Sequence, residues 1–210
     1  MTLWYVAGAA VLLSAERLCY VWIWRYPGSF RDHCGRLAIA PLREPVAALR
    51  LLFVLFKLLQ VGVFIAWCLL FSGGGLSGMP AMSILWPTSP GQVPAILALG
   101  LILLLAGQVL NAGVFVRLGQ VGVFYGRKFG YPVTWCSGFP FSLCADPQYV
   151  GAVLSIWGFF LIARFPHDDW FILPVLETVY YILGARLERE NARESFHEDG
   201  TSAVSSRLLL

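Results

Sequence analysis

Charge is what this chain has least of. Only 13% of its 210 residues are Asp, Glu, Lys or Arg, against 58% hydrophobic, and mean hydropathy is +0.71. Too few charges remain to cover a water-soluble surface, so an ordinary soluble domain is excluded and one integral membrane domain is expected. Histidine is scarce as well: His33, His167 and His197 lie far apart, and Cys19, Cys34, Cys68, Cys136 and Cys144 form no CxxC pair. Neither a structural metal nor a disulfide framework is expected. The net charge of +3 is small, and no dense basic patch or RNA-binding aromatic motif stands out, which argues against a nucleic-acid partner. The N-terminus lacks a basic leading segment and carries Glu16 and Arg17 where a signal peptide would have its cleavage region. The first apolar run is therefore expected to be retained.

What is present is a series of apolar runs. Leu3–Trp24, Val46–Phe71 and Val93–Phe115 each reach the roughly 20 residues that a bilayer core needs, with a shallow, partly embedded helix as the alternative for the first. Arg25–Pro45 reads as a loop. Ser72–Gln92, with GGG, MP, WP and SPG and no charge, reads as a loop with a short interfacial turn that Trp86 would anchor at the headgroups. Arg117–Ser137 is too interrupted by glycine to span. Val150–Ala163 is short for a crossing, and RFPHDDW separates it from Phe171–Ala185, so these two segments should form a hairpin. The expected fold is an all-α integral membrane protein of about four to five transmembrane or partly embedded helices with a C-terminal helical hairpin. It forms a single domain over residues 1–192, with a charged, Ser-rich tail over 193–210 expected to be disordered after about Ala192.

Polar groups inside those runs need an explanation. Glu16 and Arg17 are adjacent and do not face each other on one helix, so they lie near an interface or contact other helices. Arg50 and Lys57 share a helix face, which should meet protein, water or headgroups rather than hydrocarbon; snorkelling is the alternative. In the third run, Gly100, Gly107 and Gly113 permit close approach either of another helix or of a ligand, and Gln108 and Asn111 add hydrogen-bonding groups.

Gly138–Gly151, GFPFSLCADPQYVG, holds the densest set of polar and turn-forming residues beside an apolar run. Asp146 reads as an N-cap and Pro147 as the first helical residue, so the helix start offers either an anion site or a plain capped terminus. Basic residues fix the sidedness. Arg25, Arg31, Arg36 and Arg43, then Arg117, Arg127 and Lys128, then Arg186, Arg189, Arg193 and Arg207 fall on one face, and Arg164 alone on the other. By the positive-inside rule the first face is cytosolic.

LGQVGVFYGRKFG, then FPFSLCADPQYVG, then an apolar hairpin ending in LERE, resembles the small phospholipid N-methyltransferases of the endoplasmic reticulum, the plant and algal type most closely, over about Ala98–Asn191. Pro147, Tyr149 and Gly151 form a Pro-x-Tyr-x-Gly element shared with isoprenylcysteine carboxyl methyltransferases. The resemblance implies S-adenosylmethionine as methyl donor, a membrane phospholipid as acceptor, and an endoplasmic reticulum membrane as location, with a mitochondrial membrane as the alternative. It places the cofactor on a small-residue motif at Leu105, Ala106 and Gly107 and on an acidic motif at Glu188, where Arg189 stands in place of a second Glu and Glu190 comes one later; Pro147 and Gly151 join this set. Phosphatidyl-N-methylethanolamine and phosphatidyl-N,N-dimethylethanolamine are the implied acceptors, ahead of phosphatidylethanolamine itself.

Methyl transfer from a sulfonium to an amine requires positioning, exclusion of water and removal of the amine proton. Glu188 or Glu190 is the candidate base, with Glu190 and Tyr149 taken as the catalytic pair, Asp146 as a substrate-binding residue that could also receive the cofactor's polar groups, and Arg127 and Lys128 as partners of the lipid phosphate. Two other classes stand beside this one: a non-catalytic membrane scaffold, and a methyltransferase of another amphiphile such as a prenylcysteine carboxylate.

Overall fold

The computed structural model describes residues 2–70, 92–134, 136–165, 167 and 169–207, with side chains in the last helix as far as Glu190. Among the described residues there are six α-helices, α1 Thr2–Arg25, α2 Pro27–Gly35, α3 Pro45–Leu70, α4 Gln92–Val123, α5 Pro147–Ala163 and α6 Ile172–Arg207, with short 3-10 turns at Ala40–Arg43 and Gly126–Phe129. Among the described residues there is no strand. The segments Trp4–Arg25, Pro45–Leu70 and Pro94–Phe129 are long and apolar enough to cross a membrane, while Pro147–Ala163 is a shorter apolar helix. The expected interfacial turn over residues 72–91 lies outside the described residues.

Three boundaries depart from expectation. Residues 25–45, read as a loop, contain α2, because Pro27 suits a first helical turn and Phe30 and Cys34, one turn apart, bury against the core. The third apolar run does not stop at Phe115: α4 continues to Val123, passing through Gly119 at φ +62°. Only glycine takes that conformation freely, so the helix axis turns there instead of ending. α6 likewise runs on to Arg207, past Ala192.

α4 and α5 pack antiparallel at glycine-backbone distance. A Cβ on Gly107 would lie 2.4 Å from the Gly151 carbonyl oxygen, one on Gly151 2.7 Å from the Gly107 oxygen, and one on Gly158 2.5 Å from the Gly100 oxygen. Gln108 donates to Ser155 Oγ at 2.9 Å in the same seam. Of the two readings left open for the small residues of the third run, the geometry supports helix packing at these positions. The other side of α4 is lipid-facing: Ile102, Leu105, Val109 and Val116 are exposed at helical spacing.

α5 returns through the expected hairpin to α6, held by Trp157 Nε1 donating to Thr178 Oγ1 at 3.0 Å. At the turn, Arg164 is 2% exposed and forms a two-pronged pair with Asp169 at 2.8 and 2.9 Å. Two apolar clusters hold the helices together. One, around Tyr20, Trp24, Leu49, Val114 and Phe124, joins α1, α3 and α4 near the basic face; the other, around Leu13, Phe64, Ile156, Phe160 and Leu173, joins α1, α3, α5 and α6.

Candidate active site

Between the two clusters lies a cavity of about 600 Å³ with residues of α1, α3, α4, α5 and α6 in its walls. That volume suits a ligand of cofactor or headgroup size. Its rim on the basic face is built by the start of α5 and the polar stretch of α6. Asp146 occupies the N-cap position of α5 with Pro147 at the first turn, as expected, but its carboxylate makes no capping bond. It pairs instead with Arg189 of α6. Two residues further along α5, the Tyr149 hydroxyl donates to Glu188 Oε2 at 2.6 Å. A third group completes this rim. Tyr125 sits in the left-handed region at φ 54° just after α4, and its hydroxyl is hydrogen-bonded to Tyr149. Glu188 is hydrogen-bonded to Tyr125 as well as to Tyr149, so the three side chains form one cluster. Burial pushes the Glu188 carboxyl above the ordinary carboxylate range, and the bond from Tyr149 pulls it partly back.

The cavity floor holds the charged groups of the spans. Lys57 Nζ lies 3.2 Å from Glu16 Oε1 and 3.3 Å from Oε2, and donates to Gln60 Oε1 at 3.2 Å and Tyr181 Oη at 2.9 Å. Gln60 Nε2 in turn donates to Glu177 Oε1 at 2.8 Å. Arg17 stacks its guanidinium 3.9 Å from the centre of the Tyr181 ring. Asn111 Oδ1 is buried with no hydrogen-bond partner. Lys57 therefore does not snorkel; it turns inward, whereas Arg50 reaches Gln120 at 3.0 Å near the basic face. Sequence reasoning marked Glu16, Arg17, Lys57 and Asn111 as out of place in apolar runs but did not join them to the site, and it passed over Tyr125 and Tyr181. Charge within a span was the usable signal, because such groups rarely persist without a partner or a function.

Of the residues singled out beforehand, the structure brings Asp146, Pro147, Tyr149 and Glu188 to the cavity wall, with Arg189 beside Asp146. Gly151 lies on the same helix but faces Gly107. Leu105 is 61% exposed on the lipid-facing side, and Gly107 is filled by α5, so the Leu105–Ala106–Gly107 motif does not line the cavity. Glu190 is exposed and away from the cavity. The reason is continuity: α6 does not end before it, and two residues along a helix turn a side chain about 200°. Arg127 is exposed and Lys128 donates to the Trp24 carbonyl at 3.3 Å; neither lines the cavity.

Fold and cavity define the class, a multi-helix membrane protein with a ligand-sized, largely apolar cavity between its helices that also carries charged and hydrogen-bonding groups. The chain belongs to the phospholipid methyltransferase family, whose model matches residues 95–199. It is 31% identical over 137 residues to the phosphatidyl-N-methylethanolamine N-methyltransferase of Arabidopsis thaliana, covering 65% of this chain and 67% of that protein. To the phosphatidylethanolamine N-methyltransferase of Homo sapiens it is 30% identical over 113 residues, 53% of this chain and 56% of that protein. No solved structure matches it. Membership makes the protein an enzyme that transfers methyl groups to lipid amines.

Proposed function

We propose that the chain methylates the amine headgroup of phosphatidyl-N-methylethanolamine and phosphatidyl-N,N-dimethylethanolamine, giving phosphatidylcholine, with S-adenosylmethionine as methyl donor. The observation that carries the site assignment is the hydrogen bond between Tyr149 and the desolvated Glu188 at the cavity rim. The cavity fits the donor: its volume is adequate, tyrosine rings suit an adenine or a sulfonium, and acidic groups at the rim suit ribose hydroxyls. Asp146 and Tyr149 are the residues we assign to holding it. When bound, the donor supplies an electrophilic methyl group on a sulfonium sulfur.

The protein's own part is positioning and proton removal. A lipid amine arrives as an ammonium, and its lone pair is free only after a proton leaves nitrogen. Glu188, with a pKa raised by burial, accepts that proton on a carboxylate oxygen while the Tyr149 hydroxyl holds the other oxygen in place. The site would hold the freed nitrogen lone pair in line with the methyl group that the donor would supply, its sulfur leaving as a thioether. Glu188 releases the proton to water at the rim. The apolar walls formed by Phe53, Phe64 and Phe124 exclude water from the reacting centre. The basic residues around the rim support a site that faces the cytosol, by the positive-inside rule, and the family resemblance supports an endoplasmic reticulum membrane.

The test uses purified protein with radiolabelled S-adenosylmethionine and, in separate mixed micelles, phosphatidylethanolamine and its mono- and dimethylated forms. Label in phosphatidylcholine from the two methylated acceptors supports the reading. No label in any lipid, from protein that is folded, overturns it.

A further inference from the structure

Of the two described cations in the cavity wall, Arg17 has only a long ion pair for its charge, Nη2 to Glu16 Oε2 at 3.9 Å. Its Nε and Nη2 are both buried and have no hydrogen-bond partner. These two atoms form one edge of the guanidinium, the edge that receives a carboxylate or phosphate through two parallel bonds. Its nearest carboxylate is already engaged: both oxygens of Glu16 lie within 3.3 Å of Lys57, and Glu16 Oε2 is 3.9 Å from Arg17 Nη2, beyond hydrogen-bond range. The Tyr181 ring, 3.9 Å away, fixes the plane of the guanidinium, and Tyr181 is itself held by Lys57 at 2.9 Å. An unsatisfied charged donor sequestered from water is costly, so a built group of this kind calls for a ligand.

We propose that the unpaired, buried Nε–Nη2 edge of Arg17 is the receptor for an oxyanion carried into the cavity by a reactant, with Lys57, Glu16 and Tyr181 as positioning residues. The proposal rests on the methyl-transfer reading, and it adds a subsite from α1 and α3, helices that precede the family match at residues 95–199. Arg127 and Lys128, the cations first associated with the lipid phosphate, do not line the cavity, which leaves Arg17 and Lys57 as its described cations. Two groups share the required chemistry: the phosphodiester of the lipid headgroup and the α-carboxylate of the methyl donor. Arg17 lies about 12 Å along α1 from Arg25, at 1.5 Å per residue. The bound group therefore penetrates well below the basic face.

Arg17→Gln removes the fork and the charge, and Arg17→Lys keeps the charge alone; the second variant serves if the first does not fold. Calorimetry without lipid measures binding of S-adenosylhomocysteine and of 5′-methylthioadenosine, which lacks the amino-acid carboxylate. A separate assay measures KM for the lipid acceptor. If the oxyanion is the donor's carboxylate, both variants bind S-adenosylhomocysteine at least tenfold more weakly and 5′-methylthioadenosine as wild type does. If it is the phosphodiester, both nucleoside affinities hold and the lipid KM rises at least tenfold. Folded variants with unchanged affinities and unchanged KM overturn the proposal. Wild-type protein that binds S-adenosylhomocysteine but methylates no lipid defeats the methyl-transfer reading instead, and the carboxylate arm still decides the role of Arg17.

Discussion

Gly107→Ala tests whether the α4–α5 seam is packing or pocket. The added Cβ would sit 2.4 Å from the Gly151 carbonyl oxygen, 2.4 Å from Ser155 Oγ and 2.9 Å from Ser155 N. The serine hydroxyl can rotate, but the carbonyl and amide belong to the backbone of α5 and cannot move alone. Reaching ordinary contact requires the helices to part by about 1 Å, and overpacking of this kind costs roughly 1 to 3 kcal/mol. For a chain of this size that is about 2 to 12 °C in Tm. Gly151→Ala meets the same obstruction from the other side, with the Gly107 oxygen at 2.7 Å and Asn111 Oδ1 at 2.8 Å. Once one methyl has separated the helices the second finds room, so the double variant should lose less than the sum of the singles. Activity should fall with stability, because Tyr149 rides on α5 and loses its register with Glu188 on α6. Thermal unfolding in detergent, with binding of S-adenosylhomocysteine measured alongside, gives both quantities. An unchanged Tm in Gly107→Ala with weakened nucleoside binding would refute the packing argument and return Gly107 to the pocket.

Three further outcomes are expected. Tyr149→Phe should fold normally and lower kcat roughly tenfold, the worth of one hydrogen bond to a charged group; because that bond pulls the Glu188 pKa down, its loss should move the acidic limb of the kcat–pH profile to higher pH, and a limb that stays in place would detach Tyr149 from the base. Glu188→Gln should abolish that limb and most of the turnover, whereas Glu190→Gln, altering an exposed side chain, should leave kcat within about twofold of wild type; steady-state rates of the two variants decide this. Asp169→Asn leaves the 2% exposed Arg164 without its counter-ion, and the loss of about 3 kcal/mol expected for a broken buried pair should appear as a lower Tm with little change in KM.

Several features were legible in the sequence because they depend on local chemistry. Scarce charge fixed the solvent, apolar runs of membrane length fixed the three spanning helices, Asp146–Pro147 fixed the start of α5, and the family resemblance rested on short, adjacent motifs. What depends on distant parts of the chain meeting was beyond local reading. Whether Gly107 faces a ligand or a helix is decided by Gly151, more than forty residues later in the chain. The choice between Glu188 and Glu190 turned on one fact, that α6 continues through both, and a helix that continues can present only one of them to the cavity. Lys57 was ambiguous between snorkelling and inward pairing until Glu16 of α1 and Tyr181 of α6 came within hydrogen-bond reach. Periodicity and composition report what each segment prefers on its own. The tertiary structure decided the partners, because burying a charge in a membrane is tolerable only where other helices supply its counter-ion and hydrogen bonds.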